Sequence, residues 1–462
     1  MTLPELFVER MRRELGEAEA ERLCSALSLE PSTSVRLNPR KPTNRVWNGE
    51  SLAWNGNGRR LNERPSFTMD PHFHAGAYYV QEASSQFTGY IIEQVMGGGE
   101  ECRGLRLLDM CAAPGGKSTH YAALVGAEGL VVANEINRSR AAVLADNVRK
   151  WGTANMVVSC NDSSRAVQLE EWFDVVAVDA PCSGEGMFRK SDEAGEQWSE
   201  GNVAMCAERQ WEIVQNAFRA LRPGGVLLYS TCTFNRSEDE DVVARLMEAY
   251  GEELCEAEAV ATDESWGVVV GREGVFQTFR FFPHRVPGEG MFMAVARKAG
   301  ESRSRRKIKS RSKTVVRVDK RTSEELGRWI VTPEEYSFFQ AGEMLYGCRK
   351  SHFEDIEMLS GVMSVIYSGV AMGQIFKGKL KPDAALALCA DVNRKATECR
   401  EVDLTTALQF LGKQDLGAEV FAEGVNMVIY EGLPLGFVKR VGARVNNMYP
   451  NSLRILKQIN EI

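Results

Sequence analysis

Leu105-Arg106-Leu107-Leu108-Asp109-Met110-Cys111-Ala112-Ala113-Pro114-Gly115-Gly116-Lys117-Ser118-Thr119 sets the fold of this chain. An apolar run ending in an acid, a turn of small residues and a helix-compatible segment predict a strand, a tight turn and a helix start. Small residues let the backbone approach a ligand closely, and the free N–H groups at the helix start favour a carboxylate. The Gly-Gly-Lys-Ser element is not a phosphate loop, because that loop requires glycine at position 111, where Cys111 stands.

Runs of the same kind follow at 130–135, 156–159, 173–179 and 226–230. Amphipathic helices are predicted between them over 137–151 and 203–221, the second stopped by Arg222-Pro223-Gly224-Gly225. The alternation is that of βαβ units, so the fold class is α/β with a doubly wound, Rossmann-like parallel sheet. Segments 278–284 and 291–297, separated by a Pro-Gly turn, read as an antiparallel hairpin closing that sheet.

The chain has 462 residues, more than one core usually organises. Residues 1–95 are expected to form a small α+β leading domain, with an extended run at 34–39 and a loop rich in Asn, Gly and Arg at 48–62. The α/β domain occupies 96–298, a basic linker 299–313, an accessory domain 314–381 and a terminal domain 382–462. Within the accessory domain, 361–376 reads as a buried strand pair, and the terminal domain opens with a helix and closes with strands at 426–430 and 435–441.

A net charge of −7 argues against indiscriminate coating of nucleic acid. The local balance differs: Arg297, Lys298, Arg303, Arg305, Arg306, Lys307, Lys309, Arg311 and Lys313 face the single acid Glu301. No apolar run of about 18 residues is present to span a bilayer, and the acid-containing stretch from Leu3 to Arg10 is unlike an export signal, so a cytoplasmic protein is expected. Eleven cysteines without a Cys-x-x-Cys pair, and five histidines that do not cluster with them, indicate neither disulfides nor a metal site. His72 and His74 receive no role.

Ligands of an open α/β sheet bind at the carboxyl ends of its strands. Glu135, ending the second run, can take both hydroxyls of a ribose, and Asp162, beyond the third, can accept from an adenine amino group. With a turn that favours a carboxylate, these acids point to S-adenosylmethionine rather than a dinucleotide. The fourth run leads into Asp179-Ala180-Pro181-Cys182-Ser183-Gly184-Glu185-Gly186, and the fifth into Ser230-Thr231-Cys232-Thr233. Neighbouring strands would bring both cysteines into the pocket of the methyl donor. Methylation at carbon 5 of a pyrimidine needs such a thiol, since that carbon becomes nucleophilic only after a thiolate adds at carbon 6. One cysteine attacks, the other assists release, and Asp179 hydrogen-bonds the base.

The three motifs resemble those of the Nol/Nop/Sun family of RNA 5-methylcytosine methyltransferases. The resemblance implies a class I methyltransferase domain in which Cys232 is the nucleophile and Cys182 aids release. It places cofactor contacts at Cys111, Ala112, Ala113, Pro114, Gly115, Gly116, Lys117, Glu135, Asp162 and Asp179. Tyr79-Val80-Gln81-Glu82-Ala83-Ser84-Ser85 matches the family's helix beside the cofactor, and Arg189-Lys190 matches its basic pair, giving Lys190 a place at the RNA substrate. Phe282-Pro283-His284-Arg285 with Gly288-Glu289-Gly290-Met291-Phe292 resembles a branch that acts on small-subunit ribosomal RNA. Gly432-Leu433-Pro434-Leu435-Gly436 with Tyr449-Pro450 resembles its PUA-like RNA-binding end. The implied partner is RNA, as small-subunit ribosomal RNA or the subunit itself, met by a monomer without metal or membrane. A transfer RNA substrate, or an RNA-binding assembly factor without catalysis, remains the alternative; the complete motifs favour an enzyme.

Overall fold

The computed structural model describes residues 3–301, 306, 308–310 and 312–457, so Arg303, Arg305, Lys307 and Arg311 of the basic run lie outside the described residues. The predicted parallel strands form as β1 (Arg106–Asp109), β2 (Leu130–Asn134), β3 (Met156–Ser159), β4 (Phe173–Asp179) and β5 (Leu221–Thr231). Antiparallel strands β6 (Leu254–Cys255), β7 (Val269–Glu273), β8 (Phe276–Phe281), β9 (Met291–Lys298) and β10 (Val365–Ser368) complete a sheet of ten strands among the described residues. Its order is β7-β8-β9-β5-β4-β1-β2-β3-β10, with β6 against β9. The direction of winding changes between β1 and β4, which opens a crevice at their carboxyl ends.

Both faces of this sheet are covered, which is why its parallel strands read as near-continuous apolar runs. Helices Phe87–Met96, Gly116–Leu124 and Arg138–Trp151 place Ile91, Tyr121, Leu144 and Val148 against Leu107, Val131 and Val158. On the opposite face, helices Glu200–Ala220 and Glu240–Tyr250 bring Val214, Phe218, Val243 and Leu246 onto Leu108, Val132 and Val176.

Several expectations are corrected. Arg222-Pro223-Gly224-Gly225 follows the helix end but belongs to β5, where it bulges between the pairs Phe173↔Leu221 and Val175↔Val226. Residues 48–62 form an antiparallel hairpin, Gly49–Leu52 with Asn55–Leu61, rather than a loop. Only alternate positions of a strand need to be apolar; here Leu52, Gly58 and Leu61 are buried, and the buried turn residue Trp54 donates to the Ala83 carbonyl at 3.0 Å. Tyr78–Val80 is a strand, not part of a helix, because it pairs with Thr33–Leu37; a short 3-10 turn, Ser84–Gln86, follows. The strand pair expected at 361–376 divides between two sheets: Val365–Ser368 joins β3, whereas Val370–Phe376 joins the accessory sheet and exposes its end from Gln374. Gly369, at φ +61°, makes the turn between them. Arg297 and Lys298, counted in the basic run, lie in β9, in keeping with the hairpin expected at 291–297, and Arg297 donates to the Gly224 and Val95 carbonyls.

The leading helices Glu5–Leu15 and Glu17–Leu27 pack Phe7, Met11 and Leu23 on Phe188, Trp198 and Phe234. The leading four-stranded sheet shares a core with the C-terminal region, where Val35, Leu61 and Tyr78 meet Leu408, Phe410, Val428 and Tyr449. Among the described residues the accessory sheet has five antiparallel strands, from Val315–Arg317 to Lys379–Pro382, and the terminal sheet has four, from Glu398–Glu401, which pairs parallel with Gly424–Tyr430, to Arg444–Asn447. No helix among the described residues is long and apolar enough to cross a membrane.

Gly152, at φ +77°, ends the helix Arg138–Trp151 against the accessory segment: an added Cβ would lie 1.9 Å from the Leu388 carbonyl oxygen, and Ala390 donates to the Gly152 carbonyl at 2.9 Å. Gly152→Ala is therefore expected to cost about 2–4 kcal/mol from its left-handed backbone and the backbone clash. Chemical denaturation of the full chain would measure it.

Candidate active site

The site begins at the turn after β1. Gly115, at φ +109°, precedes the helix Gly116–Leu124, and an added Cβ would meet Leu144 at 2.9 Å, so both conformation and space call for glycine. The Ala113–Pro114 peptide bond is cis. The turn's carbonyls are held from outside: Arg140 donates to Ala113 at 3.0 Å, and Tyr79 and Asn147 donate to Pro114 at 3.1 and 2.8 Å. Arg36, buried over the Trp151 ring, donates to Gln81 Oε1 at 2.7 Å, the Gly116 carbonyl at 3.1 Å and Thr119 Oγ1 at 2.7 Å. One guanidinium thus ties the leading sheet to the turn.

A cavity of about 360 Å³ opens beside it. It gathers Cys111, Ala112, Ala113, Pro114, Gly116, Lys117, Asp179, Lys190 and Cys232, together with Tyr79, Gln81, Glu82, Asp109, Met187 and Glu289. Lys117 Nζ lies 2.9 Å from Asp179 Oδ2, and Ser230 donates to Asp179 Oδ1 at 3.0 Å. Burial alone would lower the Lys117 ammonium, but the Asp179 carboxylate outweighs it and holds the pKa above the ordinary lysine range. Burial pushes Asp109 up to about 7 despite the hydrogen bond Ser118 donates at 2.6 Å. Burial, reinforced by Asp179 and Asp109, raises the Cys111 thiol.

Glu135, Asp162, Gly115 and Cys182 are not among the residues lining the cavity. Glu135 is buried: it accepts from Asn137 N at 2.9 Å, and its Oε2 lies 3.4 Å from Arg140 without a hydrogen bond among the described residues. Asp162 is exposed and caps the turn Ser163–Leu169 by accepting from Ser164 N at 2.9 Å. Asp109 Oδ1 is likewise buried without a hydrogen-bond donor among the described residues. These two carboxylate oxygens without a hydrogen bond, beside a turn of small residues, could hold the ammonium and hydroxyl groups of an amino-acid-bearing nucleoside such as S-adenosylmethionine.

The Cys182 and Cys232 sulfurs stand 3.0 Å apart, Cys232 on the cavity wall and Cys182 behind it. The hydrogen bond to Cys232, together with burial, pushes the Cys182 pKa well above the ordinary cysteine value, so Cys182 is a thiol. Gly186 N donates to the Cys232 carbonyl at 2.8 Å, joining the loops after β4 and β5. Lys190 Nζ lies 3.4 Å from Glu289, which Arg189 also holds at 2.6 Å. Glu82 and Glu289 were missed as wall residues, although the sequences around both were in view, because single acids carry no periodic signal.

A sequence model described as 16S rRNA methyltransferase RsmB/F matches residues 100–297. Models of the N-terminal domain of 16S rRNA methyltransferase RsmF and of the methyltransferase RsmF PUA domain match 3–83 and 398–455. The ribosomal RNA small subunit methyltransferase F of Shewanella loihica is 32% identical over 394 residues, covering 82% of this chain and 78% of the relative. That of Erwinia tasmaniensis is 30% identical over 483 residues, covering 97% and 96%. A solved methyltransferase homolog from Pyrococcus horikoshii superposes with a TM-score of 0.53 at 25% identity, covering 64% of this chain and 95% of that one.

The raised Asp109 pKa has a stability consequence. Between the ordinary carboxyl value of 3.8 and about 7 the folded chain keeps a proton that the unfolded chain has released. The stability this contributes is full below the ordinary value and is lost as pH rises through about 7. Asp109→Asn removes the titration, so thermal melting from pH 5 to 8 should move in the variant's favour by several degrees relative to the parent.

Proposed function

Because the chain belongs to the 16S rRNA methyltransferase RsmB/F family and carries the N-terminal and PUA domains of its RsmF branch, we propose that it methylates carbon 5 of a cytosine in 16S ribosomal RNA through a covalent Cys232–RNA adduct. The observation that carries this reading is the placement of Cys232 on the wall shared with Lys117, Asp179 and the glycine turn, with the Cys182 thiol 3.0 Å behind it.

The Cys232 thiolate adds to carbon 6, and the carbon 5–carbon 6 π pair moves onto carbon 5. S-adenosylmethionine, when bound at Cys111 through Lys117, Asp109 and Glu135, supplies the methyl group to carbon 5, the pair of the broken S–CH3 bond staying on its sulfur. A base then takes the carbon 5 proton; the C–H pair restores the double bond, and the bond to Cys232 breaks with its pair returning to sulfur. Cys182, its sulfur 3.0 Å from that of Cys232, supports that departure. Asp179, fixed by Lys117 and Ser230, is the acceptor assigned to the cytosine amino group, and Lys190, at the cavity rim beside Glu289, is assigned to the RNA strand. Asp162, which also caps the following turn by accepting from Ser164 N, is the acceptor assigned to the adenine amino group. The PUA domain supports RNA as the substrate class, and the 16S target follows the names of the relatives.

Cys232→Ala should abolish methyl transfer and form no adduct. Cys182→Ala should still methylate but accumulate a covalent RNA–protein complex, seen as a ribonuclease-sensitive slow band on denaturing gels, and the double variant should lose that band. The reverse pattern would exchange the two roles, and unaffected turnover in both would remove the covalent mechanism.

A further inference from the structure

Two buried glutamates outside the cavity wall link the cysteine loops crosswise. Glu185 lies in the loop that carries Cys182, yet it holds the loop that carries Cys232: its Oε2 accepts from Phe234 N at 2.8 Å and Asn235 N at 3.1 Å, and its Oε1 from Trp198 Nε1 at 3.0 Å and Asn235 Nδ2 at 2.9 Å. Glu238 lies beyond Cys232, yet it holds the loop of Cys182. Its Oε2 accepts from Ser183 N and Gln210 Nε2, both at 2.8 Å, and its Oε1 from Asn235 Nδ2 at 2.8 Å and from the Ser183 hydroxyl. Both side chains are fully buried.

A carboxylate only accepts, at about four lone-pair positions, and each of these carboxylates meets four donors. Glutamine is nearly the same shape but turns one oxygen into a donor facing donors, so it should disturb the grip without opening a cavity. Neither glutamate lines the pocket. Their influence runs through the loop each one holds.

The geometry points to Glu185 and Glu238 as a crossed pair of positioning residues, Glu185 setting Cys232 for attack and Glu238 setting Cys182 for release. The inference rests on the covalent reading above and assigns each step its own support. It separates the glutamates in a way that a general stabilising role would not, since two equally buried carboxylates should then fail alike. Displacement by about 1 Å is enough to slow a positioned group roughly 100-fold.

The test uses the full chain, a 16S ribosomal RNA transcript and labelled S-adenosylmethionine, with single-turnover transfer, multiple-turnover rate and the adduct band read together. Glu238→Gln should retain single-turnover transfer, lose about 10–100-fold in multiple turnover and accumulate adduct while Cys182 is still present. Glu185→Gln should lose about 10–100-fold in single-turnover transfer and accumulate none. Should buried glutamine prevent folding, Ser183→Ala, which removes only the hydroxyl partner of Glu238, should still give a weaker adduct band. Equal defects in both glutamine variants, or parental rates in both, overturn the assignment. Cys182→Ala run alongside keeps the two readings apart: adduct there but none in Glu238→Gln or Ser183→Ala refutes only the crossed support, whereas no adduct in Cys182→Ala refutes the covalent mechanism beneath it.

Discussion

An ammonium withdrawn from water needs an acid beside it, and Lys117 has Asp179 at 2.9 Å. The pair spans the switch point, because Lys117 lies in the helix after β1 and Asp179 ends β4. Ser230, near the end of β5, takes the second Asp179 oxygen, so three elements are drawn to one carboxylate. The β4–β5 pairing Asp179↔Ser230 then brings the loops beyond it, with Cys182 and Cys232, to a single point. At Asp109 burial, with the Asp179 carboxylate nearby, outweighs Lys117 and raises the proton affinity.

The leading sheet serves two neighbours through one strand. Tyr78 is buried in the core shared with Phe410 and Tyr449, while Tyr79 faces the cavity and donates to Pro114. Alternation along a strand thus puts the C-terminal region and the pocket on opposite sides of the same three residues. Arg36, on the adjacent strand, reinforces the pocket side through Gln81 and Gly116. These contacts set the terminal sheet and the catalytic crevice at a fixed offset, as a machine that must present a folded RNA to a small cavity requires.

The parallel strands and their helices were legible because burial on both faces and helical periodicity each leave a regular mark in sequence. The motif residues were legible for a different reason, since strand-end position in a doubly wound sheet predicts where chemistry gathers, and Cys111, Lys117, Asp179 and Cys232 do line one cavity. The hairpin at 49–61 escaped because its polar outward positions dominate its composition, its inward Leu52 and Leu61 being few. The burial of Glu135 depends on packing that no local pattern records. Glu185 and Glu238 escaped for the same reason, each having partners some 50 residues away as well as nearby.

Closure of the sheet by β10 has a consequence for how the chain is made. β3 is complete by Ser159, but the strand that covers its outer edge starts at Val365, about 200 residues later. During vectorial synthesis the catalytic core therefore spends an interval with unpaired backbone along one margin, the geometry by which chains associate edge to edge. Long-range closure of this kind also slows folding. The accessory region thus covers a margin of the catalytic core that the core's own segments leave open.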